Sequence, residues 1–305
     1  MSILSFKTFH QLSRKYLRNN SSESSRKMVR NLGKVLLPSR DKSPYVIALS
    51  NDFKIKINPK EDRGVEASLY YYGQYELGTL DFITRTLDEG SVFIDIGANI
   101  GLMSLYASKK IGPKGKIYAF EAFPDTANEL EGNLKLNDIE NVTLYREALG
   151  DFNGTTEIYT SSNKNKGMTS LVKTEKHELS ELKIPVKMLN EYTAIGLEKI
   201  AVVKVDVEGF EYQVLEGANK IFQGSYKPVL VVEYDEKLNG TDEKHLFDLI
   251  MSFGDYEVYI SKYSKERLSP FKEVKNKKQL PSHENLFCIP KSRKEELISK
   301  GIELV

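Results

Sequence analysis

The segment SVFIDIGANIGLMSLYASKKIGPKGKIYAFE, Ser91 to Glu121, reads as strand, glycine-rich turn, helix, strand and acid. Its first apolar run, Val92 to Ile96, is of the kind that a parallel strand buried on both faces requires. The run gives way to Asp95, Gly97, Asn99 and Gly101, after which Leu102, Leu105 and Tyr106 share one helical face. A second strand, Lys116 to Phe120, ends in Glu121. The unit predicts a nucleotide site at the carboxyl edge of a doubly wound sheet. Glycines let backbone approach a ligand, the helix start offers free N–H groups, and Glu121 would accept hydrogen bonds from both hydroxyls of a ribose.

The spacing selects the nucleotide. A dinucleotide fingerprint places its second glycine against a pyrophosphate. Here the turn is Asp95-Ile96-Gly97-Ala98-Asn99-Ile100-Gly101. A carboxylate before the turn repels a pyrophosphate and suits the ammonium of an amino-acid-like ligand. S-adenosylmethionine carries such an ammonium at one end and a ribose at the other. A glycine turn without any ligand, or a nicotinamide site, are the alternatives.

Composition bounds the rest. The 305 residues suffice for one α/β domain with additions. The 44 basic and 43 acidic residues nearly cancel, which argues against nucleic acid as a partner. The lone cysteine, Cys288, excludes an intramolecular disulfide and fits a reducing compartment. No apolar run is long enough for a transmembrane helix and no signal peptide is read at the amino terminus, so a cytoplasmic location is expected.

Residues 1–42 form a basic extension, with nine Lys or Arg and one acid, Glu23, between Met1 and Arg40. Ile3, Phe6, Phe9, Leu12 and Tyr16 recur at roughly helical spacing. The bland reading is a helix that packs on the domain. The alternative is weak peripheral contact with an anionic membrane through a basic amphipathic helix. A domain over 43–305 would follow, with its core at 70–235, an inserted hairpin at about 151–188, and a C-terminal hairpin and lid at about 255–290. Strand-like alternation at Phe53, Ile55 and Ile57 precedes that core. The segment Leu69 to Glu76, LYYYGQYE, would either wall a cavity or pack as core aromatics. Tyr75 and Glu76 are kept as site candidates. Ala148, after the third strand, would lie beside the nucleotide base, and a mobile loop is expected through Gly167, Met168 and Thr169.

Ile200 to Glu211, IAVVKVDVEGFE, is the second informative stretch. Asp206, Glu208 and Glu211 at the end of a central strand are costly to bring together unless a cation, a proton or donors meet them. Capping of the next helix would account for one of the three. Another buried strand, Val229 to Val232, ends in Glu233.

Gly73-Gln74-Tyr75-Glu76, the Asp95–Gly101 turn, Glu121 and Lys204-Val205-Asp206-Val207-Glu208-Gly209-Phe210-Glu211 together resemble the FkbM family of S-adenosylmethionine-dependent methyltransferases, over roughly residues 70 to 235. Two departures are Ala122-Phe123-Pro124 after Glu121, where the family often has proline at once, and Leu189-Asn190 in place of an Asp before the fourth strand. The resemblance implies a mostly parallel, doubly wound seven-stranded sheet ending in an antiparallel hairpin, and methyl transfer mostly to oxygen on small molecules, sugars or glycans. It implies that Asp95, Gly97, Asn99 and Gly101 hold the methionine end of the cofactor and Glu121 its ribose. With the local readings, the cofactor set is Glu76, Asp95, Gly97, Ala98, Asn99, Gly101, Glu121, Ala148 and Asp206.

The proton acceptor would be Asp206, Glu208, Glu233 or His283, the last because the final antiparallel strand begins at the same sheet edge. Asp206, Glu208 and Glu233 also match Mg²⁺ ligands. The metal-free version is preferred because no His or Cys joins them. The alternatives are an RNA or protein methyltransferase of the same fold, or a non-catalytic binding module that keeps it. The sequence does not give the oligomeric state.

Overall fold

The computed structural model describes residues 5–19, 22–49, 53–62, 64–161, 171, 177–192, 200–239 and 245–305. Helices α1 (Phe6–Asn19) and α2 (Glu23–Leu36) lead into a hairpin of β1 (Tyr45–Ala48) and β2 (Lys54–Ile57), then α3 (Val65–Tyr72) and α4 (Leu77–Thr86). Strand and helix then alternate through β3 (Val92–Ile96), α5 (Leu102–Ile111), β4 (Lys116–Phe120), α6 (Pro124–Leu136) and β5 (Val142–Tyr145). An insert of three strands follows: β6 (Ala148–Leu149), β7 (Gly154–Ser161) and β8 (His177–Lys187). The main sheet resumes with β9 (Ile200–Val205), α7 (Glu211–Gly217) and β10 (Val229–Asp235). It ends with β11 (Tyr256–Ser261), β12 (Phe271–Val274) and β13 (His283–Pro290).

The main sheet runs β12-β11-β13-β10-β9-β3-β4-β5. The five strands from β10 to β5 are parallel, and β13, β11 and β12 are antiparallel. The sheet therefore has eight strands where seven were expected. The eighth, β12, comes from the stretch read as a lid. Phe271 and Val274 are buried apolar residues, and the strand pairs with β11 through Ser261↔Phe271 and Val258↔Val274. A water-exposed lid would leave that apolar surface uncovered.

The parallel strands are apolar because both their faces are covered. Every residue of β9 is buried. Along β3, Phe93 belongs to the core on one face and Ile94 to the core on the other. The order in which strands are added reverses between the parallel neighbours β3 and β9, where Ile96 lies opposite Val205. In such sheets the crevice at the carboxyl ends of these two strands receives ligands.

The amino-terminal helices pack on α3. Phe9, Leu17 and Val29 are buried there, and His10 Nε2 donates to the Tyr70 carbonyl at 2.8 Å. Burial lowers the His10 pKa to about 4, so the ring stays neutral. Tyr70, Tyr71 and Tyr72 are core aromatics. The loop expected at Gly167, Met168 and Thr169 lies outside the described residues. No helix among the described residues is long and apolar enough to cross a membrane.

Candidate active site

A cavity opens at the junction of β3 and β9. Gly97 takes a left-handed φ of 75°, and a Cβ there would fall 1.8 Å from the Asp206 carbonyl oxygen. Only glycine lets the two strand ends meet this closely. Asp206 N–H donates to the Ile96 carbonyl at 3.0 Å and completes the join.

Asp95, at the floor, is fully buried. Its Oδ2 accepts from Ser104 Oγ at 2.6 Å, whereas Oδ1 has no hydrogen-bond partner among the described residues. Burial raises its pKa, against the pull of the Lys204 ammonium. Glu121, at the end of β4, accepts from Asn99 N–H and Phe123 N–H, each at 2.9 Å. Burial lifts its pKa to about 7 despite these donors.

Between Gly97 and Gly101 the backbone N–H groups of the turn bond within the fold. Those of Gly97 and Ala98 go to the Phe120 carbonyl and that of Asn99 to Glu121. The Ile100 N–H goes to Asn99 Oδ1 and that of Gly101 to the Ala98 carbonyl. The turn closes upon the end of β4, and the helix start that follows it, Leu102 and Met103, lines the cavity.

On the opposite wall, Asp206, Glu208 and Glu233 each bring a carboxylate oxygen within 4.8 Å of the others. Two lysines meet them. Lys204 Nζ lies 2.9 Å from Asp206 Oδ2, and Lys265 Nζ lies 2.9 Å from Glu233 Oε1 and 2.8 Å from Glu76 Oε1. Burial would raise the Asp206 pKa, but Lys204 and Lys265 prevail and hold it at about 2. Burial and the Asp206 charge raise Glu208 to about 8, and the same two causes push Glu233 well up. Glu76, Asn99 and Glu208 line the cavity in left-handed backbone, with φ of 42°, 51° and 55°. Non-glycine residues adopt that region at a cost that surrounding structure must sustain, and such strain gathers at functional sites.

At the far end the wall turns apolar, through Ala148, Leu149, Phe210, and Ile158 and Ile184 of the insert. Most sequence-derived candidates thus meet in one cavity: Glu76, Asp95, Gly97, Ala98, Asn99, Glu121, Ala148, Asp206, Glu208 and Glu233 all line it. Gly101 does not. A Cβ on it would meet Leu130 at 3.0 Å, so it serves the packing of α5 on α6. His283 is also outside the lining. It opens β13 opposite Asp235, half exposed, with Nδ1 3.2 Å from Asp235 Oδ2 and Nε2 3.4 Å from Glu233 Oε1. Glu211 turns away from the cavity and accepts from Val207 N–H, Gly209 N–H and Asn239 Nδ2. It is the structural carboxylate of the three.

Lys204, Lys265, Phe210 and the insert's isoleucines were not anticipated. Lys204 had a signal, a lysine inside an apolar strand. Lys265 lay in the stretch read as a basic lid, Ser261 to Pro281, with nothing in KYSKERLSP to single it out from the other lysines.

Residues 95–266, more than half of the chain, match the family model described as the methyltransferase FkbM domain. The chain is 27% identical over 194 residues to Methyltransferase 1 of Beauveria bassiana, covering 56% of this chain and 74% of that protein. It is 34% identical over 164 residues to Methyltransferase sdnD of Sordaria araneosa, covering 44% of this chain and 62% of that one. The solved structure of an FkbM methyltransferase from Methylobacillus flagellatus aligns at 15% identity and a TM-score of 0.42, over 93% of this chain and 58% of that chain. The chain belongs to the FkbM family of S-adenosylmethionine-dependent methyltransferases.

Proposed function

We propose that this enzyme transfers the methyl group of S-adenosylmethionine to a hydroxyl on a sugar, glycan or small molecule in the cytoplasm. The observation that carries this reading is the buried, unpartnered Asp95 Oδ1 on the cavity floor, facing a carboxylate cluster across the crevice. A buried carboxylate oxygen without a donor favours a cationic ligand group. The donor set fits the cofactor. Asp95 would take its ammonium. Glu121 uses one acceptor site on each oxygen for Asn99 and Phe123, which leaves two for ribose hydroxyls. Ala148, Leu149 and Phe210 would cover the base.

When bound, the cofactor supplies an electrophilic methyl on a sulfonium. The protein's part is to align an acceptor oxygen with it and to take a proton. Glu208, which ionises at a pKa raised by burial to about 8, is in its deprotonated form the acceptor the geometry favours, with Glu233 beside it. His283, touching Glu233 from the exposed side, would pass the proton to solvent. The same carboxylates match oxygen ligands for Mg²⁺, but the Lys265 ammonium on Glu233 supports the metal-free version. An acidic wall disfavours a phosphate-rich acceptor such as RNA. The basic α1–α2 face supports peripheral contact with anionic lipid.

The test is calorimetric titration with S-adenosylhomocysteine of the wild type, Asp95→Asn and Glu121→Gln. Each variant is expected to lose about 10- to 100-fold in affinity, as for a hydrogen bond to a charged group. Labelled S-adenosylmethionine should then yield base-stable methyl ethers from a panel of hydroxyl acceptors. A folded protein that binds no S-adenosylhomocysteine would sink this reading of the cavity.

A further inference from the structure

We infer that Lys265 is a positioning residue whose ammonium serves as the built-in cation of the carboxylate cluster, where a divalent metal would otherwise sit. Its loop follows β11 and is held from three sides. Gly78 N–H, in the first turn of α4, donates to the Lys265 carbonyl at 2.9 Å. A Cβ on Gly78 would lie 2.5 Å from the Arg267 carbonyl oxygen, so backbone rests on backbone there. Lys265 N–H donates to Glu284 Oε2 at 3.1 Å. Arg26 of α2 pairs with Glu266 at 3.0 Å, which brings the amino-terminal extension to the edge of the site.

With its backbone pinned, the side chain has one course, inward, and it is almost fully buried. Its ammonium joins Glu76 and Glu233, and Asn285 Nδ2 holds the other Glu76 oxygen at 3.1 Å. Four wall carboxylates, Glu76, Asp206, Glu208 and Glu233, thus face two ammoniums, Lys204 and Lys265. Removing one partner from a buried ion group leaves charge that must take a proton or find another cation. A divalent ion needs several oxygens at short range. An ammonium with three donors meets two of the carboxylates at ordinary hydrogen-bond length and leaves other carboxylate oxygens for an acceptor hydroxyl.

The inference rests on the proposed reading only in placing an acceptor beside the cluster, and its test does not need one. Mn²⁺ uptake would be followed by electron paramagnetic resonance in the wild type, Glu233→Gln, Lys265→Ala, Lys265→Gln, Lys265→Arg and Lys265→Ala/Glu233→Gln. Lys265→Ala and Lys265→Gln should bind Mn²⁺ at least about tenfold more tightly than the wild type, with a gain that grows as pH rises, since the metal displaces protons from oxygen ligands that no longer have an ammonium beside them. Lys265→Arg should restore the wild-type response, and Glu233→Gln in the double variant should abolish the gain. Uptake by the wild type that is lost on Glu233→Gln would overturn the inference. So would folded Ala and Gln variants with unchanged uptake. S-adenosylhomocysteine titrations on the same samples separate this outcome from a failure of the cofactor reading.

Discussion

Glu208 and Glu121 bind protons more tightly in the folded chain than in the unfolded one, with pKa values raised to about 8 and about 7. A raised carboxyl pKa means that the native state binds more protons than the unfolded one. Stability is then highest below the unfolded value and falls as pH climbs through the native one. For Glu208 the window runs from the ordinary glutamate value of 4.5 up to about 8. Glu233 adds to the same trend. The melting temperature of the ligand-free protein should therefore drop between pH 6 and pH 8.5, and Glu208→Gln should flatten part of that slope. A melting temperature that rose over this range, or a slope unchanged in Glu208→Gln, would show that Glu208 does not carry the proton. The groups that face it (Asp206, Glu211, Asp235 and the Lys265 ammonium) remain in the variant, so the difference reports Glu208 itself.

The two strand–turn junctions act as one element. Gly97 is needed twice, for its left-handed φ and because the Asp206 carbonyl oxygen stands where a Cβ would be. Gly90 shares the positive φ, at 79°, but a Cβ there would meet nothing within 4 Å. Gly90→Ala should cost about 1–2 kcal/mol, the backbone penalty alone. Gly97→Ala should cost more than that and weaken S-adenosylhomocysteine binding, since β3 and β9 must part. Equal melting temperatures for the two variants would refute the close approach. This junction was legible in the sequence because a buried parallel strand must be apolar, so Asp95, Glu121, Asp206 and Glu233 stand out at strand ends. Spacing could not say which acid folds back, and it is Glu211 that does so, binding the loop N–H groups of Val207 and Gly209. Lys265 was illegible for another reason. Its approach depends on a loop lying against Gly78, a contact between residues far apart in the chain. His283 was located to the correct edge by strand direction, but the register opposite Asp235 leaves it outside the cavity.

At the scale of the molecule, the amino-terminal helices have two working faces. One joins the domain through Phe9, His10, Leu17 and Val29. The other exposes Leu12 and Tyr16 on α1, and Met28, Leu32, Val35 and Leu36 on α2, with Val35 72% accessible. On α2 these residues recur at helical spacing, beside the exposed Lys27, Arg30 and Lys34. Burying them in the domain is ruled out by the packing of the opposite face. Charge narrows what covers them, because nine basic residues against one acid between Met1 and Arg40 complement an anionic lipid surface. Each such cation adds about 1 kcal/mol near that surface, screened within a Debye length. The protein should float with phosphatidylserine-containing vesicles, less so at high salt, and not with pure phosphatidylcholine. Leu32→Glu with Val35→Glu should abolish flotation and leave S-adenosylhomocysteine binding unchanged, since neither residue lines the cavity. If the folded protein ignored both vesicles and instead formed a dimer that the double variant dissociated, the exposed stripe would be a self-association surface.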